Sequence, residues 1–289
     1  MKNRLVFVEG LPGAGKTTCA KKICELQKAQ GRKVKRYREH EVHPVDMTRQ
    51  AYLSVAEFKD IIKKIEKAWL NNNGKPSEAI QNLIQKESMQ FNEHIVLAYW
   101  QLLFEYDIFK NPDEREILAE LRSKEICDGN VSFSLYSDIY IKRFKDFVDK
   151  SISTDITIIF EGTLIQNILF DLIGYYMLSD NEIFEFYKKL ERIIACLNPI
   201  IVYVNASHIN DLVERTSKRK DMWYEGMLNW ISKSPYGLKH NLSGIDGIIM
   251  FCEKRKKLDE SILSHIGVEC LFVDYEDLKG GDVLCQILC

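Results

Sequence analysis

A glycine-rich octapeptide lies near the N-terminus, between a short apolar run and a stretch with helical periodicity. It reads Gly10-Leu11-Pro12-Gly13-Ala14-Gly15-Lys16-Thr17 and fits the pattern G-x-x-x-x-G-K-[ST] at every fixed position. Glycines let the backbone curl so that successive N–H groups converge on phosphate oxygens, and the positive N-terminal end of the following helix adds to this attraction. The octapeptide therefore predicts a binding site for nucleotide phosphates.

The two polar side chains at the end of this loop have separate predicted tasks. We expect Lys16 to contact the β- and γ-phosphates and the Thr17 hydroxyl to ligate Mg²⁺. The predicted ligand is a nucleoside triphosphate, ATP, bound with Mg²⁺. The predicted nucleotide-binding set comprises Gly10, Leu11, Pro12, Gly13, Ala14, Gly15, Lys16, Thr17 and Thr18.

The composition is that of an ordinary globular chain without a charge bias. The 289 residues include 46% hydrophobic and 28% charged side chains, and the formal net charge is −2. Such a balance does not favour nucleic acid or a membrane surface as a partner. The N-terminus lacks the pattern of a signal peptide, and the eight cysteines contain no Cys-x-x-Cys, so we expect a cytoplasmic protein with reduced thiols. A homodimer is compatible with the sequence.

Short apolar runs alternate with amphipathic stretches along the chain. The runs predict five strands, at residues 5–8, 33–37, 156–160, 199–204 and 268–273. This alternation predicts an α/β protein with a parallel sheet. The apolar segment 156–178 contains Glu161, Gln166, Asn167 and Asp171, so it predicts a buried strand and a buried helix rather than a membrane span.

A segment of about 115 residues separates the second and third predicted strands, far more than one crossover helix needs. Amphipathic stretches at 56–70, 77–109, 113–127 and 134–148 predict that it is helical. We interpret residues 47–150 as a helical insert that folds onto the sheet of a single domain, residues 1–289. The chain must return to the same sheet, which argues against an independent domain.

Three classes of protein use such a loop: GTPase switches, mechanical or regulatory ATPases, and small-molecule kinases. A GTPase needs an Asn-Lys-x-Asp guanine reader, but the fourth strand runs into Val204-Asn205-Ala206-Ser207. The third strand ends in Glu161-Gly162 rather than the Asp-Glu of a mechanical ATPase. A kinase is favoured, and a nucleotide-dependent regulator or binding protein remains the alternative, as does a kinase for an antibiotic or a sugar.

Glu9 stands directly before the loop, and the run Phe7-Val8-Glu9-Gly10 resembles the thymidylate-kinase and deoxynucleoside-kinase group of P-loop kinases. The resemblance implies a three-layer P-loop NTPase sandwich whose five-stranded parallel sheet has the order 2-3-1-4-5. It also implies a lid, here residues 205–235, and ATP- and Mg²⁺-dependent phosphate transfer to a small-molecule acceptor, with a nucleoside or nucleotide favoured. In those kinases the adenine lies near the loop after the last strand, here residues 274–277.

A second resemblance rests on two short motifs. His43-Pro44-Val45-Asp46 and Asn241-Leu242-Ser243-Gly244 are similar to motifs of uncharacterised bacterial P-loop proteins. That resemblance implies no substrate.

Further charged residues are candidates for the chemistry itself. Glu161 ends the third strand, where a carboxylate can hold Mg²⁺ through water or accept the proton of an attacking hydroxyl. Arg215 and Arg219 are four residues apart, hence on one face of a predicted helix, and their place resembles the lid arginines that clamp the transferring phosphoryl group. We predict that Lys16, Glu161, Arg215 and Arg219 are the catalytic residues.

Polar residues follow the second strand, where nucleoside kinases place the acid that contacts the acceptor hydroxyl. The resemblance implies an acceptor site here, and the candidates are Glu39, His43 and Asp46. Glu39 is favoured because it is closest to the end of the strand. A polar surface loop is the alternative interpretation.

Overall fold

The computed structural model describes residues 5–39, 41–73, 78–104, 111–218 and 223–275. The strands are β1 (Leu5–Glu9), β2 (Val34–Tyr37), β3 (Gln50–Ser54), β4 (Ser88–Phe91), β5 (His94–Ala98), β6 (Thr157–Glu161), β7 (Pro199–Asn205) and β8 (Glu269–Asp274). The helices are α1 (Lys16–Ala29), α2 (Val55–Asn73), α3 (Glu78–Lys86), α4 (Trp100–Phe104), α5 (Pro112–Ser123), α6 (Phe133–Ser151), α7 (Gln166–Gly174), α8 (Asp180–Ile194), α9 (Ile209–Ser217), α10 (Trp223–Lys233), α11 (Pro235–Lys239) and α12 (Gly244–His265). The chain divides into two compact units, the first formed by Met1–Val45 with Ile141–Cys289 and the second by Asp46–Tyr140.

The first unit contains a five-stranded sheet in which every neighbouring pair is parallel. The strands stand in the order β2-β6-β1-β7-β8, which is 2-3-1-4-5 when only the strands of this sheet are counted along the chain. Helices lie on both sides of the sheet. The predicted α/β class with a five-stranded parallel sheet is therefore confirmed.

Apolar side chains on successive residues of β1 alternate between the two faces of the sheet. Val6 and Val8 belong to the cluster that packs against α1, together with Ile23. Phe7 points to the other face, where its ring stacks on Phe160 of β6 with 5.8 Å between centroids. Strands of a parallel sheet are buried on both faces, and their sequences are therefore continuous apolar runs.

The apolar segment 156–178 forms β6 and then α7, so the prediction of a buried strand followed by a buried helix is confirmed. Its polar residues find partners inside the protein: for example, the main chain and side chain of Gln166 both form hydrogen bonds. Among the helices of the described residues, none combines the length and apolarity needed to cross a membrane.

The second unit is not purely helical, and this part of the prediction for the insert is wrong. Strands β3, β5 and β4 form an antiparallel sheet in that order, inside the region that the sequence predicted as helical. The two-residue loop between β4 and β5 explains the difference, because Asn92 has a φ of 53° and reverses the chain. The β-branched residues Ile95 and Val96 then favour a strand after the turn.

The second unit also has a hydrophobic core of its own. Residues of β3, α2, α3, β5 and α5 supply it, including Leu53, Ile61, Leu83, Leu97 and Leu121. The predicted insert, residues 47–150, corresponds to this unit except for residues 141–150, which lie in the C-terminal part of α6 and belong to the first unit. The division into two units differs from the predicted single domain, because the insert can bury its apolar side chains against one another.

The motif Asn241-Leu242-Ser243-Gly244 forms the turn between α11 and α12. Asn241 and Gly244 have φ values of 51° and 60°, and Leu242 between them is buried. Such left-handed positions favour Asn and Gly. The backbone of this turn therefore explains why Asn and Gly occur at these two positions of the motif.

Two helical glycines of the first unit provide a matched test of how closely α11 packs against α10. A Cβ at Gly237 of α11 would lie 1.8 Å from the Ile231 carbonyl oxygen, whereas a Cβ at Gly226 of α10 would meet nothing within 4 Å. We expect Gly237→Ala to lower the free energy of unfolding by about 2 kcal/mol or more. Gly226→Ala should raise it by up to about 1 kcal/mol. Urea denaturation of both variants checks this, and equal stability of the two would contradict the described contact.

Candidate functional site

The backbone of the glycine-rich loop depends on its three glycines. Gly10, Gly13 and Gly15 have φ values of 140°, 85° and 106°, a region that side chains disfavour. A Cβ at Gly10 would lie 2.5 Å from the Val204 carbonyl oxygen, and a Cβ at Gly15 would lie 2.5 Å from the Tyr275 ring. The loop thus takes a conformation that other residues at these positions would strain.

The loop leads directly into the N-terminus of α1, which begins at Lys16. The residue before it is Gly15, which has no side chain to cap the helix. The first-turn N–H groups of a helix have no intrahelical acceptor and carry a partial positive charge. Lys16, Thr17 and Thr18 therefore present amides suited to an anion.

A cavity of about 300 Å³ opens at this helix end, within the first unit. Five of the predicted loop residues line it, and three further residues come from elsewhere in the sequence. The lining residues are Gly13, Gly15, Lys16, Thr17, Thr18, Glu39, Arg215 and Tyr275. The cavity thus brings together the predicted phosphate loop, one predicted acceptor residue and one predicted lid arginine.

Lys16 is 3% exposed, and its ammonium group contacts three oxygens of the first unit. It donates to the Leu11 carbonyl oxygen at 3.2 Å and to the side-chain oxygen of Gln166. The Glu39 carboxylate lies 3.6 Å from Nζ. A buried cation needs such partners to offset its desolvation, and these partners hold Nζ at the cavity.

Thr17, Glu161 and Arg36 form a chain of hydrogen bonds beside the cavity. The Thr17 hydroxyl donates to Glu161 Oε2 at 2.8 Å, and Arg36 Nε donates to Glu161 Oε1 at 2.6 Å. The Glu161 side chain is fully buried. Both carboxylate oxygens are therefore engaged, an arrangement that favours orienting Thr17 over accepting a proton from a substrate.

Glu9 is completely buried at the end of β1 and supports the segment that follows β6. Its carboxyl oxygens accept the backbone N–H groups of Leu164 at 2.7 Å and Gln166 at 3.0 Å. Burial raises the pKa of Glu9 from 4.5 to about 7, against the opposing effect of these hydrogen bonds and of Lys16. Glu9 thus joins two chain segments that are far apart in the sequence.

Arg215 reaches the loop from α9. One guanidinium nitrogen donates to the Gly13 carbonyl oxygen at 3.3 Å, and the guanidinium carbon lies 5.7 Å from the centroid of the Tyr275 ring. The predicted helix through both arginines is not observed as a continuous element, because α9 ends at Ser217. Arg219 lies outside the described residues, as do residues 220–222 of the predicted lid, 205–235.

Two of the predicted acceptor residues have other surroundings. His43 is buried in the first unit, with its ring 5.3 Å from that of Phe160 on the aromatic face of the sheet. Asp46 belongs to the second unit, where its carboxylate accepts the Thr48 N–H at 2.9 Å. Of the three candidates, Glu39 is the one that lines the cavity.

Arg36 and Gln166 contact the candidate site residues but were not predicted from the sequence. Arg36 is a charged residue within a strand, and the register pairs it with Ile159, two residues before Glu161. Gln166 is one of several polar residues in the mostly apolar segment 156–178 and is 2% exposed. A polar residue inside an apolar run was the available signal for Gln166, whereas Arg36 lies between Lys35 and Tyr37-Arg38 and gave no such signal. The partners of both residues become visible only in the tertiary structure.

Similarity to known proteins does not indicate what this site binds. No protein-family model matches the chain, and no curated protein is similar to it. One similar solved structure is that of APE1195, with 13% identity, coverage of 90% of this chain and 97% of that chain, and a TM-score of 0.32. A likeness at this level carries no argument about fold or function.

The buried Glu9 carboxyl makes a prediction about pH and stability. Because its pKa is raised in the folded state, from 4.5 to about 7, protonation favours folding, and this contribution is lost as pH rises from about 4.5 to about 7. Glu9→Gln cannot titrate. We expect the free energy of unfolding of the wild type to fall across this range by a few kcal/mol relative to the variant. Urea denaturation at several pH values measures this, and parallel profiles would contradict it.

Proposed function

We propose that this protein is an ATP- and Mg²⁺-dependent phosphotransferase with a P-loop NTPase fold. One observation carries the proposal: Lys16 and Thr17, at the start of α1, border a polar cavity, with Thr17 hydrogen-bonded to Glu161 at the end of the neighbouring strand β6. The loop between β1 and α1, its three left-handed glycines and the strand order support the P-loop assignment.

The residues around Thr17 fit a hard cation. Its hydroxyl lines the cavity, and hydrogen-bonding to Glu161 directs the hydroxyl proton away from the cavity, so that the oxygen lone pairs are available. Thr17 would hold Mg²⁺, and Glu161 would orient the Thr17 hydroxyl group. Bound Mg²⁺ supplies positive charge to the β- and γ-phosphates.

Glu39 is the better candidate for the base that receives the acceptor's proton. Both glutamates have partners at both oxygens, but the Glu39 carboxylate lines the cavity and its side chain is 22% exposed, whereas the Glu161 side chain is fully buried. A carboxylate at this place would repel a phosphate acceptor and attract a hydroxyl group. We therefore favour a hydroxyl-bearing acceptor, such as a nucleoside, over a nucleotide.

At phosphorus the proposed step forms one bond and breaks one, and a proton is transferred at the same time. The acceptor oxygen bonds to the γ-phosphorus, its proton passes to Glu39, and the bond to the bridging oxygen breaks so that ADP leaves with the electron pair. Lys16 and Arg215 would stabilise the charge on the transferred group.

Transfer of labelled γ-phosphate tests the reaction. We expect labelled product from Mg-ATP with one of four pools: nucleosides, nucleotides, sugars or aminoglycosides. Lys16→Ala should remove this product while leaving the circular dichroism spectrum unchanged, because the lysine lines the cavity and is not part of the hydrophobic cluster between β1 and α1. Slow phosphate release that no pool changes would favour a nucleotide-dependent regulator, and full turnover by folded Lys16→Ala would overturn the P-loop assignment.

Two neighbouring glutamates provide a matched test of the proposed base. Glu39 lines the cavity, whereas Glu41 is exposed and bonds to Arg38. We expect Glu39→Gln to lower kcat by about 10²-fold or more with little change in Mg-ATP affinity. Glu41→Gln should retain wild-type kcat. Equal rates for the two variants would exclude Glu39 as the base.

A further inference from the structure

Gln166 stands between the two charged groups to which the proposed function gives the main tasks. Its side-chain oxygen accepts a hydrogen bond from the Lys16 ammonium group, and its side-chain nitrogen donates one to the Glu39 carboxylate. The residue is 2% exposed. A neutral amide can serve a cation and an anion at the same time, because it carries both an acceptor and a donor.

The main chain of Gln166 is also held in place, on both of its polar groups. Its N–H donates to Glu9 at 3.0 Å, and its carbonyl oxygen accepts from Arg255 at 3.1 Å. Arg255 is 1% exposed and is itself paired with Asp259 at 3.2 Å. Asp259 in turn accepts the Tyr203 hydroxyl at 3.0 Å. Buried groups of β1, α12 and β7 thus determine where the main chain of Gln166 lies.

Glu9 and Arg255 contact the main chain of Gln166, so the fold would retain both contacts with any side chain at this position. The side chain itself has no hydrophobic task, since its two polar ends contact Lys16 and Glu39. This separation between a fixed main chain and a bridging amide is typical of a residue that orients its neighbours.

We propose that Gln166 is a positioning residue that holds Lys16 and Glu39 in one hydrogen-bonded unit at the cavity. The proposal deepens the proposed function and rests on it for the roles of the two charged groups. Alignment of this kind contributes to catalysis because a reacting group that is already oriented needs less ordering in the transition state. Gln166 would therefore affect the rate of transfer through Lys16 and Glu39, without contacting the reacting atoms.

Three variants separate the two contacts of the amide. Gln166→Met has a similar size and removes both hydrogen bonds, whereas Gln166→Glu retains an acceptor for Lys16 and loses the donor to Glu39. Gln27→Met is the matched control, since Gln27 is also buried in the first unit and bonds Arg32, near the opposite end of α1.

The first measurement needs no nucleotide. Acetylation of Lys16 in the ligand-free protein, followed by mass spectrometry, reports how firmly its side chain is held in its buried position. The hydrogen bond to the Gln166 oxygen holds the Lys16 side chain among buried groups, and its loss lets the side chain reach the reagent more often. We expect acetylation of Lys16 to be about fivefold faster or more in Gln166→Met. Gln166→Glu and Gln27→Met should show no acceleration.

The second measurement compares binding and turnover of Mg-ATP. We expect both Gln166 variants to lower kcat by about 10- to 100-fold. Because the loop amides and Thr17 remain, the Kd of Gln166→Met for Mg-ATP should stay within about threefold of the wild type. Gln27→Met should match the wild type in both quantities. If Gln166 had only a structural role, Gln166→Met would lower thermal stability, and kcat would not fall while the Kd stayed constant.

The outcomes distinguish this proposal from the proposed function. Unchanged Lys16 acetylation together with unchanged kcat in folded Gln166→Met would overturn the positioning role while nucleotide binding stands. Faster acetylation in a protein whose wild type binds no Mg-ATP would overturn the proposed function and support the hydrogen-bonded unit. If Gln166→Met does not fold, a wild-type kcat in Gln166→Glu overturns the positioning role.

Discussion

The parallel pairing of β1 with β6 is the contact on which the candidate site depends. Its register places Val8 beside Glu161, so the two strands end at the same edge of the sheet. The loop and α1 follow β1, and the segment that carries Gln166 follows β6. Glu9 links the two continuations by accepting N–H groups of Leu164 and Gln166. Residues about 150 positions apart in the sequence therefore meet because two apolar strands bury their faces together.

The charged side chains at this edge of the sheet are paired, and each pairing restricts the chemical role that its two side chains can take. Arg36 and Thr17 engage both oxygens of Glu161, which leaves it suited to orienting a hydroxyl group. Lys16 lies near Glu39, with Gln166 bonded to both. Buried charges require such partners, since an unpaired one would cost several kcal/mol. The division of tasks that we propose for the two glutamates follows from their surroundings rather than from their residue type.

The second unit shows how a local turn can overrule a periodic pattern. Residues 77–109 have apolar positions that are compatible with a helix, yet the left-handed Asn92 reverses the chain and produces a hairpin. The sheet so formed packs with α2, α3 and α5 into a separate core. A residue pattern read over a long window averages across such a turn and misses it.

The sequence alone determined the α/β class, the five parallel strands and the glycine-rich turn between β1 and α1, because these depend on local patterns: apolar runs, glycine spacing and the helix that follows. It also indicated Glu39 and Glu161 as charged residues at strand ends. Only the tertiary structure decided that Glu39 lines the cavity, that His43 packs against Phe160 and that Gln166 and Arg36 belong to the site. Those facts depend on which strands are neighbours and on which side chains are buried, and both follow from long-range packing that residue spacing does not encode.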